Sequence, residues 1–225
     1  MKRILLILIT LMVILPYSCT KPSPTEPGGE GTGTEGGGNE GGGEEPDPNP
    51  PADSITYKIG DYLKEGLSEG IIVHLDETAQ HGLMISLDQG KTCWSTEYQM
   101  LTNEGGEFYP DDGYWNMQFI KGLENWKDLY PAFAWCDNKN VLGLNAWYLP
   151  SIDEYQYIYA SLDIINESLI SLDCEPLHTG ANDCYWTSME IGPQSAYAFS
   201  FFYGEISSYD YDKKNEHYVI AMRHF

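Results

Sequence analysis

The stretch Trp147-Tyr148-Leu149-Pro150-Ser151-Ile152-Asp153-Glu154 marks where this chain turns from one kind of structure to another. Ser151 is placed to cap the free N–H groups of a helix, and Glu154, three residues on, completes a capping box. Asp153 and Glu154 also suit the positive end of a helix. Tyr155, Ile158, Tyr159, Leu162, Ile165 and Leu169 then recur at helical spacing, with a break near Asp163. Beyond Cys174 the period becomes that of strands: Cys184 to Met189, Ala196 to Tyr203 with Tyr197, Phe199 and Phe201 on one face, and Tyr218 to Phe225.

Upstream of that helix, Asp111–Leu123 and Glu124–Trp135 read as short helices interrupted near Gly122 and Pro131. Gly70–Leu75 and His81–Leu87 are β-rich and joined by a short acidic turn, the pattern of a hairpin. Tyr57–Tyr62 reads as a short opening strand. Strands early and late with helices between them predict an α+β domain over residues 54–225. All 6 Trp, and every Tyr except Tyr17, fall inside it. Trp147 and Trp186 read as core residues.

Residues 1–18 read as an export signal. Lys2 and Arg3 precede an apolar run from Ile4 to Leu15, too short to span a membrane comfortably. The run ends at Leu15-Pro16-Tyr17-Ser18-Cys19, where a small residue directly before a Cys resembles a lipobox. Pro16 and Tyr17 are bulkier than the usual pattern. The expectation is a lipoprotein cleaved and acylated at Cys19, with ordinary cleavage before a free Cys as the alternative. From Cys19 to Asp53 the chain is rich in Gly, Glu and Pro and carries no aromatic residue. Such a segment cannot offset the entropy of ordering and reads as a disordered tether. Its root-mean-square reach is roughly 30–35 Å. The expected location is the cell envelope, anchored through the lipid to the outer membrane. The face stays open: Thr20-Lys21-Pro22-Ser23, not an acidic run, follows Cys19.

The full chain carries 34 acidic and 12 basic residues, a formal charge of −22. Such a surface repels phosphate backbones, so nucleic acid is excluded as a natural partner. Solubility is the plain reading of the acidity; calcium binding is the sharper one.

Several segments in order resemble the Lcl C-terminal domain family, also called the Fibrobacter major paralogous domain. They are Gly70 to Leu83, Trp147 to Glu154, Tyr185 to Glu190, Ala196 to Phe201 and Tyr218 to Phe225. The resemblance covers most of residues 57–225. It implies a C-type-lectin-like fold with mixed and antiparallel strands, two or more helices, and first and last strands close together. Relatives of that fold include lectins, adhesins and formylglycine-generating enzymes, so the resemblance implies display of a loop surface without fixing a function.

Candidate chemistry is sparse. Calcium lectins of this fold show Glu-Pro-Asn or Gln-Pro-Asp and a later Trp-Asn-Asp. Here Leu177 follows Glu175-Pro176 and Ala181 precedes Asn182-Asp183, so both motifs depart and no cofactor is expected. Export permits disulfides. Cys174 and Cys184 flank a short loop, and Cys93 with Cys136 remain by subtraction; free buried thiols are the alternative. No Cys spacing suits a metal. His81 lies at the hairpin and His224 in the last strand, and neither has a nucleophile nearby in sequence. No catalytic residue is assigned. The segment Tyr203–His217 is polar and Tyr-rich, and Tyr203, Ser208, Tyr209, Asp210, Tyr211 and Asn215 are its candidate ligand contacts. An exposed hairpin loop without a ligand is the alternative. The expected function is a binding module for a glycan or protein ligand, such as an adhesin. A structural subunit of a surface assembly is the second reading, and an envelope enzyme the third.

Overall fold

The computed structural model describes residues 55–104, 108–140, 146–207 and 211–225. The leader, Cys19 and the tether lie outside them. Along the chain run β1 (Tyr62–Glu65), β2 (Ser68–Leu75), β3 (Gly82–Ser86), β4 (Gly90–Cys93), a single 3-10 turn at Leu101–Glu104, α1 (Gly113–Lys121), α2 (Trp126–Leu129), α3 (Pro131–Asp137), α4 (Ile152–Ala160) and α5 (Leu162–Ser171). There follow β5 (Tyr185–Glu190), β6 (Ser195–Ser200), β7 (Glu205–Ile206), β8 (Tyr211–Asp212), β9 (Glu216–Val219) and β10 (Met222–His224). The protein is an α+β fold.

The strands form two sheets. One has the order β1-β2-β3-β10, antiparallel throughout. The other has the order β4-β9-β5-β6-β7, with β8 paired to β6. It is mixed, because β9 runs parallel to β5 where Tyr218 lies opposite Tyr185.

The hairpin expected from Gly70 to Leu87 is β2–β3, with Ile71 opposite Ile85 and a bulge between Ile72 and His74. The opening strand falls later than expected, at Tyr62–Glu65. Residues 57–61 serve instead as a turn, tied by Lys58 N–H to Asp61 Oδ2 and by Gly60 N–H to the Ile72 carbonyl.

Helix ends follow their local chemistry. Asp112 caps α1 by accepting the Trp115 N–H, and α1 stops at Gly122. Pro131 opens α3 in the first turn, where its missing N–H costs nothing. The capping box of Ser151 and Glu154 is formed at α4. The helical run breaks at Ser161, which separates α4 from α5.

The closing segment departs most from expectation. Tyr218–Phe225 is not one strand: Ile220 and Ala221 carry the chain from β9 in the mixed sheet to β10 in the antiparallel one. Both are fully buried, as are Val219 and Met222, so this crossover runs through the core. Met222 also exchanges two backbone hydrogen bonds with Tyr148 at 2.9 Å, which joins the segment before α4 to β10.

Aromatic rings dominate the core. Trp94 meets Phe133 and Tyr130 edge-on at 5.2 and 5.8 Å and donates its indole N–H to the Thr187 carbonyl. Tyr155 stacks on Phe199 at 5.4 Å, and its hydroxyl donates to the Trp186 carbonyl. Burying each such ring contributes about 1.5–3 kcal/mol, and the hydrogen bond to its polar atom offsets the cost of taking that atom out of water. Trp147 and Trp186 are buried as expected.

Candidate functional site

The Tyr-rich segment proposed as a recognition loop is only partly a loop. Tyr203 stands out in solvent at the turn after β6, and Asn215 is exposed in the turn between β8 and β9. Ser208, Tyr209 and Asp210 lie outside the described residues. Tyr211 belongs to β8 and turns inward, packing edge-on against Trp186 and His217 at 6.2 and 4.6 Å. Its hydroxyl accepts the Ser207 hydroxyl at 2.9 Å and lies 3.0 Å from Cys184 Sγ.

Lys213 is fully buried. Its ammonium pairs with Glu190 at 2.5 Å, donates to the Gln99 carbonyl and sits over the Trp94 ring. Glu190 also accepts the N–H groups of Leu101 and Thr102. This part of the segment fastens residues 99–102 to the mixed sheet. Nothing in the sequence separates Lys213 from its exposed neighbour Lys214, because the difference arises only when β8 pairs with β6.

The expected disulfides are not formed. Cys93, Cys136, Cys174 and Cys184 are all free thiols. Cys136 points from α3 into the core against the Ile220 carbonyl, and Cys184 is held beside Tyr211. Cys174, just after α5, has its thiol on the Leu172 carbonyl. Cys136, Cys184 and Cys174 are therefore each engaged with a different neighbour. Burial raises the Cys136, Cys93 and Cys184 thiols above their ordinary acidity range, which disfavours the reactive thiolate.

Two surfaces stand out. The first is an apolar ridge. The tight turn after β6 projects Phe202 and Tyr203, 56% and 60% exposed and edge-on to each other at 4.8 Å. Beside them a shallow groove is lined by Tyr159, Leu162 and Ile164 from the α4–α5 junction and by Phe201. Gly204 holds the turn with φ +72°, and a Cβ there would run into the Tyr159 ring. The turn and the helix junction are thus locked together.

The second is a cleft of about 370 Å³ between the β2–β3 hairpin, β10 and the starts of α1 and α4. It brings together His74 and His81 from the hairpin and the sequence-distant His224, with Asp76, Asp111, Asp112 and Glu154. Glu154 forms the floor and is 3% exposed. Its Oε2 accepts the Ser151 and Gly113 N–H groups, and its Oε1 accepts the Tyr148 hydroxyl. Burial pushes the Glu154 carboxyl up, against the pull of those hydrogen bonds. His224 lies 3.5 Å from the same Tyr148 hydroxyl, and burial lowers its pKa. On the opposite wall His74 stacks on Tyr157 at 4.0 Å.

The cleft lining contains no Ser, Thr, Cys or Lys, so it presents carboxylates and imidazoles without an aliphatic hydroxyl, thiol or amine nucleophile. Tyr148, beneath it, is held well above the ordinary phenol range by burial and by Glu154. Among the described residues no three of His, Cys, Asp or Glu are grouped to hold a metal ion. His81 and His224 were visible in the sequence as candidates. That His224 joins His74 and His81 was not, because it depends on β10 pairing with β3.

No family model matches the chain, and no curated protein matches it. The fold is similar to that of a fimbrial protein from Bacteroides ovatus ATCC 8483, with a TM-score of 0.55 over 74% of this chain at 17% identity. The match covers 48% of that protein, so this chain spans about half its length.

Proposed function

We propose that this chain is a subunit of a cell-surface assembly, held to the envelope through Cys19 and its tether. The observation that carries this reading is the fold shared with a fimbrial protein across about three quarters of the chain. The apolar ridge supports it. Phe202, Tyr203, Tyr159 and Ile164 form one neighbourhood of exposed large apolar side chains, and a contiguous exposed apolar patch is the kind of surface a protein partner covers. Aromatic side chains give much contact area for little lost entropy. A partner seated there would cover the ridge and the shallow groove together. The assembly reading thus takes precedence over a calcium-dependent lectin, whose two motifs the chain departs from.

Crosslinking in the parent cells tests the proposal. The expected result is a set of higher-mass species containing this chain. They should weaken in a Phe202→Ser/Tyr203→Ser double variant whose purified form melts at the wild-type temperature. Recovery of monomer alone, at protein levels where other envelope complexes crosslink, would overturn it.

A further inference from the structure

The histidine and carboxylate cleft plays no part in the assembly reading. Three of its carboxylates, Asp76, Asp111 and Asp112, stand at its mouth, and no Lys or Arg lines it. Among the described residues none of the three enters a salt bridge. Asp76 accepts the Thr78 hydroxyl and backbone N–H groups of Thr78, Gln80 and His81, and Asp112 accepts the Trp115 N–H. No lysine or arginine therefore offsets the negative charge at the mouth.

The walls supply a second, independent feature. One is aromatic, with the stacked pair of His74 and Tyr157. Another is apolar, from Leu83 and from Phe225, whose ring is pinned edge-on by Tyr57 at 5.5 Å. A cation is favoured between carboxylates and a π-face, and an alkyl stem is favoured along apolar surface. The lining has no Trp, Asn or Gln, groups well suited to framing a sugar ring.

We infer that this cleft receives a basic side chain, lysine or arginine, presented by a protein partner. The ammonium or guanidinium sits among Asp76, Asp111 and Asp112, and the methylene stem lies on Leu83 and Phe225. Glu154 shapes the floor and does not serve as the counter-ion, since its oxygens are already occupied by Tyr148, Ser151 and Gly113.

The test is a calorimetric titration of the full chain in detergent with three blocked pentapeptides that differ only at the centre: lysine, arginine or norleucine. Glucosamine and N-acetylglucosamine are run alongside. The expected result is saturable binding of the lysine or arginine peptide, at least tenfold tighter than norleucine and weakened by salt. Asp111 is exposed and makes no hydrogen bond that holds the fold, so Asp111→Asn should weaken binding at least threefold at an unchanged melting temperature. Equal binding of the norleucine peptide would overturn the inference, and so would no binding of either basic peptide. Binding of glucosamine without either peptide would also overturn it, in favour of an amino sugar. None of these outcomes alters the crosslinking result, so this inference and the assembly reading fail separately.

Discussion

Tyr148 donates its hydroxyl to Glu154 Oε1 at 2.7 Å, while Glu154 Oε2 takes N–H groups from the starts of two different helices, Ser151 at α4 and Gly113 at α1. One buried carboxylate thereby joins two helices to the strand-like segment that bridges to β10. Gly113 has no room for a side chain there: a Cβ would lie 2.5 Å from the Leu149 carbonyl and 2.7 Å from Glu154 Oε2.

Removing that carboxylate leaves three buried donors without a partner. Glu154→Ala should cost about 3 kcal/mol or more in a urea titration, since each unsatisfied buried group costs ~1–3 kcal/mol. Glu154→Gln should cost less and should change the pH profile. The folded-state pKa of Glu154 is raised from 4.5, so its protonated form contributes stability that is full below that value and fades as pH climbs. Wild type should lose stability over that rise, and the Gln variant should lack this component. Parallel slopes for the two proteins would show that Glu154 titrates normally.

His217 gives the opposite slope. Its ring is wedged edge-on against Trp186 and Tyr211, both at 4.6 Å, and its Nε2 has no protein partner. Burial, and to a lesser extent Lys91, lowers its pKa from 6.5 to about 4. The unfolded chain therefore takes up the proton first as pH falls, and stability should drop between pH 6.5 and about 4. His217→Phe should remove about 1–2 kcal/mol of that loss, the full shift being reduced because the ring is not wholly out of water. Thermal melts at several pH values check the difference in slope.

The Lys213–Glu190 pair should show strong coupling. Lys213→Met leaves a buried carboxylate without its cation, and Glu190→Gln leaves a buried ammonium without its anion. Each single change should cost roughly 3–5 kcal/mol. The double variant should cost clearly less than the sum, and a double-mutant cycle by chemical denaturation measures the difference. Strict additivity would mean that the two groups are not paired in solution.

The thiols can be counted directly. Reagent titration of the unfolded chain should find Cys93, Cys136, Cys174 and Cys184 all reduced, and Cys136 should react only after unfolding. A reductant should leave the melting temperature unchanged. A native disulfide would instead show as a loss of roughly 2–4 kcal/mol on reduction.

At the ridge, Gly204→Ala forces a side chain into both a positive φ and the Tyr159 ring. It should destabilise the domain by about 1–3 kcal/mol. It should also reduce the crosslinked species, because Phe202 and Tyr203 sit on the same turn.

Local features of this protein were legible in its sequence because they rest on neighbours along the chain. The capping box of Ser151 and Glu154, the break at Gly122, the Pro131 helix start and the β2–β3 hairpin each need only a few consecutive residues. The α+β class followed from their order. What the tertiary structure decided involves residues brought together by strand pairing. The apolar run from Tyr218 to Met222 reads as part of one closing strand, and only the core crossover at Ile220–Ala221 splits the segment between sheets. That split carries His224 beside His74 and His81 and opens the cleft between them. It also places His217, in the other half, in the aromatic core. The stretch from Trp147 to Glu154 shows the division within eight residues. Its sequence specified a helix start, but that the same Glu154 would also hold α1 and Tyr148 depended on Gly113 arriving from 41 positions away.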